Sequence, residues 1–293
     1  MNLPAKIDTE NLPQAPAIPI QWEPGMQIEQ GIYIGMPDSV YFNTHAISNS
    51  GLKDFAEAPA KYRFGERKKT RSLALGSLWH TALLEPHLLD QRYVMTTLER
   101  AGTNAWKAEE IAAGGRELIK EPEWEEMLQM CASIYGQGGA LPAVLGYEGR
   151  HTELSFFWWD HPASVFCRAR ADIAILEHGL VGDVKSCQNA SEDFNFAVRD
   201  WKYHYQNAFY KRGLRKLGHP IDDFVFFAIE KKKPFLYRPW IVPRDATEDA
   251  ERKILTLLTR YRECLDTGIW PGYPEEIGTI EYPEFWLNKE KAQ

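Results

Sequence analysis

The chain has 293 residues, of which 44% are hydrophobic and 13% aromatic, so its composition excludes a disordered protein and supplies a full core. Its formal net charge of −7 would by itself disfavour nucleic acid as a partner. No apolar run reaches the length of about 18 residues that spans a bilayer, and the first residues do not form the pattern of a signal peptide. We therefore expect a cytoplasmic protein without a membrane partner.

Cysteine spacing argues against a structural zinc site and against a disulfide framework. No two of the cysteines form a CxxC pair, which is the spacing that such sites usually need. They are Cys131, Cys167, Cys187 and Cys264.

The N-terminal residues differ in composition from the rest of the chain. Residues 1–30 are rich in proline and poor in large apolar residues, which predicts an extended arm. Residues 31–293 are predicted to form one domain, with a helical N-terminal part over 47–140 and a catalytic sheet with helices over 150–270.

The helical part contains four predicted helices. Ser50 is the predicted N-cap of the first, which runs through Phe55 and stops near Pro59. The second covers Leu73 to Leu84 and ends before Pro86. Segments 104–119 and 122–137 have the apolar spacing of two further helices.

From residue 153 onward, β-branched and aromatic residues indicate strands. A long helix is predicted between the third and fourth strands, and another helix follows the fifth. Helices followed by a sheet predict an α/β (α+β) fold with a central mixed sheet flanked by helices. The predicted strands are Glu153–Trp159, Val165–Leu176, Leu180–Ser186, Phe224–Ile229 and Leu236–Val242, and the helices are Ser191–Leu217 and Thr247–Leu265.

Three charged residues lie at the ends of, or inside, these apolar strands. Asp183 and Lys185 are two apart and so point to the same face, and Asp172 closes the run of residues 165–171 in the neighbouring strand. Two carboxylates beside a lysine suit a hard divalent cation and a water that attacks a phosphodiester. The alternative is a strand-end aspartate with a surface ion pair, but unpaired charges inside an apolar strand are costly.

Four other polar residues are weaker candidates. Glu153 opens an aromatic strand and could be a metal ligand, a support for one, or simply exposed. His80 lies on a predicted helix, where it is either structural or a ligand through a neutral imidazole nitrogen. Gln206 and Tyr210 are four apart on one helix face, where they could contact a nucleic-acid backbone or hold the strand of the site.

Two basic clusters flank the candidate site in sequence. Each could be a solvated helix face, but together beside carboxylates they favour binding of phosphate. The first contains Lys61, Arg63, Arg67, Lys68, Lys69 and Arg71, and the second contains Arg199, Lys202, Lys211, Arg212, Arg215 and Lys216.

The order of these motifs resembles the PD-(D/E)XK nuclease superfamily, and within it the exodeoxyribonuclease VIII (RecE-like) branch related to phage lambda exonuclease. The resemblance covers roughly Gly31 to Tyr273, although Ala171 stands where the superfamily name has proline. It rests on Gly76-x-x-x-His80, Glu153, Arg170-Ala171-Asp172, Asp183-Val184-Lys185-Ser186 and Gln206-x-x-x-Tyr210, with an opening signature from Ile47 to Tyr62 and the tail Gly268–Tyr273.

The resemblance implies a restriction-endonuclease-like core and a role for each motif residue. Asp172 and Asp183 would bind Mg²⁺ or Mn²⁺ with help from the Val184 carbonyl, and Lys185 would position water or stabilise charge on the phosphate. His80 and Glu153 would complete or support the metal site, and the residues expected to contact DNA are Gln206, Tyr210, Arg170 and Ser186.

The resemblance also implies a metal-dependent exonuclease that acts on the ends of double-stranded DNA. It implies 5′→3′ polarity, a ring-like homo-oligomer and a RecT-like single-strand annealing recombinase as partner in phage-type recombination. The alternatives are an endonuclease and a catalytically idle DNA-binding subunit on the same fold. An iron–sulfur nuclease is rejected, because Cys264 stands alone where a C-terminal cysteine group would be needed.

Overall fold

A computed structural model describes residues 17–66 and 70–281. Its central feature is a seven-stranded mixed sheet in the order β1-β2-β5-β6-β7-β8-β9, and strands β3 and β4 form a separate parallel pair. The strands are β1 (Ile20–Gln21), β2 (Gly31–Ile34), β3 (Tyr93–Thr96), β4 (Glu117–Lys120), β5 (His151–Asp160), β6 (Val165–Ile175), β7 (Leu180–Cys187), β8 (Asp223–Glu230) and β9 (Tyr237–Ile241).

Helices cover both faces of this sheet, as the predicted fold class requires. The described helices are α1 (Asp38–Asn43), α2 (Asn49–Glu57), α3 (Pro59–Phe64), α4 (Arg71–Leu84), α5 (Leu89–Arg92), α6 (Asn104–Ala112), α7 (Glu121–Gln137), α8 (Ala140–Leu145), α9 (Phe194–Asp200), α10 (Tyr203–Lys216) and α11 (Arg244–Thr267). None of them combines the length and the apolar character needed to cross a membrane.

The core consists of two main apolar layers, one on each face of the sheet. Helices α2, α10 and α11 pack on one face around residues such as Phe209 and Leu258. Helices α4, α7 and α8 pack on the other face around residues such as Met130 and Val184. Because successive side chains of a strand point to opposite faces, β7 and β8 contribute to both layers.

Strands β5, β6 and β7 form an antiparallel meander, and β8 then pairs parallel to β7. A parallel neighbour requires a crossover, which α9 and α10 provide between β7 and β8. This topology places the start of α10 beside the middle of β7, where Asp183 and Lys185 lie.

Three element predictions were wrong in detail. Ser48, and not Ser50, caps α2, because its side chain accepts a hydrogen bond from the Gly51 N–H. The predicted helix over 104–119 ends at Ala112, since Gly114 and Gly115 follow with positive φ and residues 117–120 pair with β3. The predicted helix Ser191–Leu217 is two helices, α9 and α10, separated by Lys202 with a φ of 54°.

Part of the predicted N-terminal arm lies in the described residues. Ile20 and Gln21 form β1, which pairs parallel with β2 at the edge of the sheet. Residues 1–16 lie outside the described part, so the division of the chain into an arm and one domain stays a prediction.

Candidate active site

Three carboxylates lie in one row across the sheet. The register of β5 and β6 places Glu153 opposite Asp172, and the register of β6 and β7, continued by one residue, places Asp183 opposite Asp172 as well. Residues that lie directly opposite each other in antiparallel strands point to the same side. The prediction that neighbouring strands gather the acidic residues therefore agrees with the register.

The Asp172 carboxylate lies where β6 and β7 separate. The last residue pair between these strands is Ile173 with Gly182, and beyond it the Val184 N–H donates to Oδ2 of Asp172 over 2.7 Å. The side chain therefore supplies the acceptor that the strand ladder no longer provides.

Asp183 is almost completely buried and is held from two sides. Its Oδ1 accepts a hydrogen bond from the Gln206 side chain, and its Oδ2 forms an ion pair with the Lys185 ammonium. The Lys185 ammonium therefore balances the charge of this buried carboxylate, as a buried charge requires.

Glu153 faces the site through a distorted backbone. Its φ of 49° is unusual for a residue with a side chain and interrupts the pairing of β5 at this position. Strained residues concentrate at functional sites, because surrounding structure must hold them in place.

The carboxylates affect each other's protonation. Burial and the neighbouring Asp172 charge raise the pKa of Glu153 to about 8. Burial and the Asp183 charge raise the pKa of Asp172 to about 6, against the opposing effect of His80 and Lys185. A divalent cation beside these carboxylates would favour their charged forms and so oppose both shifts.

Lys185 keeps its proton in this environment. Burial alone would lower its pKa, but the Asp183 and Asp172 carboxylates outweigh burial and raise it. The ammonium also lies 5.2 Å from the centre of the Tyr203 ring. At neutral pH this side chain is therefore a cation.

A divalent cation fits the donor set. One ligand atom from each of His80, Glu153 and Asp172 lies within 4.8 Å of the others, and the His80 Nδ1 lies 3.6 Å from Oδ2 of Asp172. Carboxylate oxygens are the ligands that Mg²⁺ and Mn²⁺ prefer. Asp183 lies beside this group on the next strand, and its predicted role as a metal ligand stays a prediction.

The remaining predicted residues surround this group. The Tyr210 hydroxyl donates to the Arg170 carbonyl over 3.0 Å, a contact that braces β6. Val184 turns its side chain into the opposite core layer, and Ser186 lines an adjoining depression beside His80. The metal role of the Val184 carbonyl and the DNA contacts of Gln206, Tyr210 and Ser186 stay predictions.

Arg170 is buried and its polar atoms are already engaged. Its guanidinium donates to Oγ of Ser155 over 2.9 Å and to the Met36 carbonyl over 3.0 Å, and it pairs with Asp38. It also lies 4.1 Å from the centre of the Tyr41 ring. These contacts give Arg170 a structural role near the site. Its contact with DNA stays a prediction.

Two residues of the site lacked an assigned role in the sequence. Lys53 on α2 lines the same cleft of about 450 Å³ as the carboxylates and donates to the Trp201 carbonyl over 3.2 Å. Burial and the nearby Lys185 ammonium lower its pKa. Tyr203 lies one helical turn before Gln206, and that spacing is the only sequence signal for it.

Several described members of the two basic clusters form ion pairs with acidic side chains. In the second, Arg212 is buried against Asp160, and Arg215 pairs with Glu251. In the first, Arg71 pairs with Glu123, and residues 67–69 lie outside the described residues. The binding of phosphate by these two clusters therefore stays a prediction.

The fold and the site together define a PDDEXK-like domain. The fold is a mixed sheet with helices on both faces, and the site has an aspartate where two strands separate and an Asp-x-Lys on the next strand. The chain belongs to the family described as "PDDEXK-like domain of unknown function (DUF3799)", whose sequence model matches residues 48–283. No curated protein sequence matches the chain.

A solved structure supports the same fold. It is the crystal structure of a "putative exonuclease" from Eubacterium rectale, which is similar with a TM-score of 0.57 and 16% sequence identity. The match covers 87% of this chain and 98% of the other. At this identity the likeness establishes the fold, and with the family match it confirms the predicted restriction-endonuclease-like core.

Proposed function

We propose that the protein is a metal-dependent nuclease that hydrolyses phosphodiester bonds at the ends of double-stranded DNA. The observation that carries the proposal is the meeting of Glu153, Asp172, Asp183 and Lys185 in one cleft. Two comparisons support the same interpretation: the match to the PDDEXK-like family and the similar fold of a solved structure whose title names an exonuclease.

The residues have distinct tasks in this proposal. Asp172 and Asp183, with Glu153 and His80 beside them, would hold Mg²⁺ or Mn²⁺. When bound, the cation supplies an acidified water and neutralises charge on the phosphate. Lys185 stays protonated, so it orients the attacking water or stabilises the phosphate oxygens and does not act as the base.

Digestion of end-labelled linear duplex beside a closed circle tests the reaction. We expect Mg²⁺- or Mn²⁺-dependent release of nucleotides from the linear DNA alone, with 5′ label lost before 3′ label. Cleavage of the circle would favour the endonuclease alternative. Failure to release any nucleotide with either metal would contradict the proposal.

Substitutions test the assigned site. Asp183→Asn should abolish both metal binding and activity, whereas Lys185→Met should keep metal binding and lower the rate by about 10²–10³-fold, as expected for loss of one transition-state contact. Lys107→Met removes an exposed lysine of α6 and is the matched control. Calorimetry without carboxylate-dependent metal binding would instead favour the idle DNA-binding subunit.

The biological setting belongs to the same proposal. We infer a role in phage-type recombination, with a single-strand annealing recombinase as partner and a ring-like homo-oligomer as the active assembly. Light scattering on the purified protein tests the oligomer, and co-purification with a recombinase encoded beside it tests the partner.

A further inference from the structure

A second cavity adjoins the active-site cleft. It has a volume of about 820 Å³, and it shares Phe42 and Arg168 as lining residues with the cleft that contains the carboxylates. Because two residues line both, the cavity lies directly beside the cleft. It involves none of the proposed metal ligands.

Aromatic rings line this cavity from several elements. The Trp159 ring lies 5.1 Å from the Phe166 ring, and Tyr62 is stacked on Trp270 with 6.1 Å between ring centres. Phe42 and Trp159 expose 59% and 44% of their surface. Exposure of large aromatic side chains around one cavity is a feature of binding surfaces.

The charge of the cavity is opposite to that of the whole chain. Its charged lining residues among those described are the arginines Arg63, Arg168 and Arg262, and no aspartate or glutamate lines it, in a chain with a net charge of −7. The Arg63 guanidinium lies 5.8 Å from the Trp270 ring centre. Arg168 lies 4.9 Å from the ring centre of Tyr41, and its Nη1 donates to the Tyr41 and Thr44 carbonyls, so Arg63 is the cavity arginine best placed for a phosphate. Arg262 is partly neutralised by Asp266.

We propose that this aromatic cavity binds unpaired nucleotides of the DNA substrate next to the bond that is cut, an inference that rests on the proposed function. Aromatic side chains stack on bases of any sequence, and arginines beside them contact the phosphates. The bases of a duplex already stack on each other, so only the bases of a separated strand can stack on these side chains. The site therefore selects ends at which strands come apart.

Binding of a fluorescein-labelled oligothymidylate, measured by anisotropy with EDTA present, tests the inference without catalysis. Phe42→Ala and Trp159→Ala should each weaken binding about tenfold, the effect expected for loss of one stacked base. Trp159→Phe should keep most of the affinity. Tyr135→Ala removes an aromatic residue that is 53% exposed on α7, outside the cavity, and should change the affinity less than twofold.

Unchanged oligothymidylate affinity in the Phe42→Ala/Trp159→Ala double variant would overturn the inference. A loss of oligomeric assembly in that variant, with the same affinity, would show that the cavity binds a second copy of the chain. Since Phe42 and Trp159 are partly exposed, thermal melting should match that of the parent protein, and the Trp159→Phe variant remains informative if it does not.

Hydrolysis of bis(p-nitrophenyl) phosphate with Mn²⁺ separates this inference from the proposed function. The small diester reaches the metal site without needing the aromatic cavity, so Trp159→Ala, which changes a residue that lines only this cavity, should hydrolyse it as fast as the parent. Hydrolysis of this probe together with unchanged binding of the oligonucleotide would refute the cavity and retain the nuclease. Binding that depends on the cavity, without any hydrolysis by the parent, would refute the nuclease alone.

Discussion

The Asp172 carboxylate accepts a 2.7 Å hydrogen bond from the backbone N–H of Val184, at the point where β6 and β7 separate. One oxygen of the carboxylate is thereby fixed to the strand that carries Asp183 and Lys185. The two strands cannot shift past each other without losing this contact. The spacing of the two aspartates is thus part of the fold and does not depend on a ligand.

The pH dependence of stability follows from the crowded carboxylates. The raised pKa values of Asp172 and Glu153 mean that the folded protein holds protons that the unfolded chain releases near pH 4. The bound protons therefore stabilise the folded protein fully below pH 4. The contribution of Asp172 to the free energy of unfolding is lost as the pH rises through about 6, and that of Glu153 as it rises through about 8. We expect the melting temperature of metal-free protein to fall between pH 5 and pH 8.

Differential scanning fluorimetry in EDTA measures this slope. Asp172→Asn removes one titrating group and lowers the repulsion on Glu153, so its melting temperature should depend less on pH than that of the parent. Added Mn²⁺ should raise the melting temperature most at pH 8, where the carboxylates are ionised. Equal slopes for parent and Asp172→Asn would contradict the assignment.

Gln206 is expected to position Asp183. Its side chain donates to Oδ1 of Asp183 and so fixes the orientation of this carboxylate, whose Oδ2 pairs with Lys185. Loss of such a supporting contact typically costs 10–100-fold in metal affinity. We predict that Gln206→Leu weakens Mn²⁺ binding by this factor in calorimetry, while the DNA affinity in EDTA is unchanged. A drop in DNA affinity with normal metal binding would show that Gln206 contacts the substrate directly instead.

The sequence predicted the parts of the site that depend on strand periodicity. Asp183 and Lys185 share a face because they are two apart, and Asp172 joins them because a tight connection links its strand to theirs. The positive φ of Glu153 was not predictable, because it results from how β5 meets β6 and from no local motif.

Contacts between distant segments set the rest of the site. The Arg170 side chain reaches Asp38 and Met36, more than 130 positions earlier, and so is engaged in structure. Lys53 enters the cleft only because α2 packs beside α10. Charge clusters counted along the chain could not reveal such pairings, and the binding of phosphate by the two basic clusters stays a prediction.

Arg212 illustrates the consequence for the second basic cluster. Its guanidinium donates two hydrogen bonds to the fully buried Asp160, so we expect Arg212→Met to destabilise the fold by about 3–5 kcal/mol, the cost of leaving one buried charge unpaired. Urea unfolding measures the loss. The double variant Asp160→Leu/Arg212→Met should recover most of the lost free energy of unfolding. If Arg212→Met alone is stable but binds DNA more weakly, Arg212 contacts phosphate instead.

Two helical glycines offer a matched test of the packing that holds α10 against the sheet. A Cβ at Gly213 would lie 2.7 Å from atoms of the buried Trp158 ring, whereas one at Gly136 on α7 would have no neighbour within 4 Å. We expect Gly213→Ala to cost about 1–3 kcal/mol, because the ring and the helix must move apart. Gly136→Ala should instead stabilise the protein by up to about 1 kcal/mol, through the lower backbone entropy of the unfolded chain. Since α10 carries Gln206, the Gly213→Ala variant should also bind Mn²⁺ more weakly. Urea unfolding measures the stability of both variants. Unchanged stability in both would show that α10 does not pack this closely against the sheet.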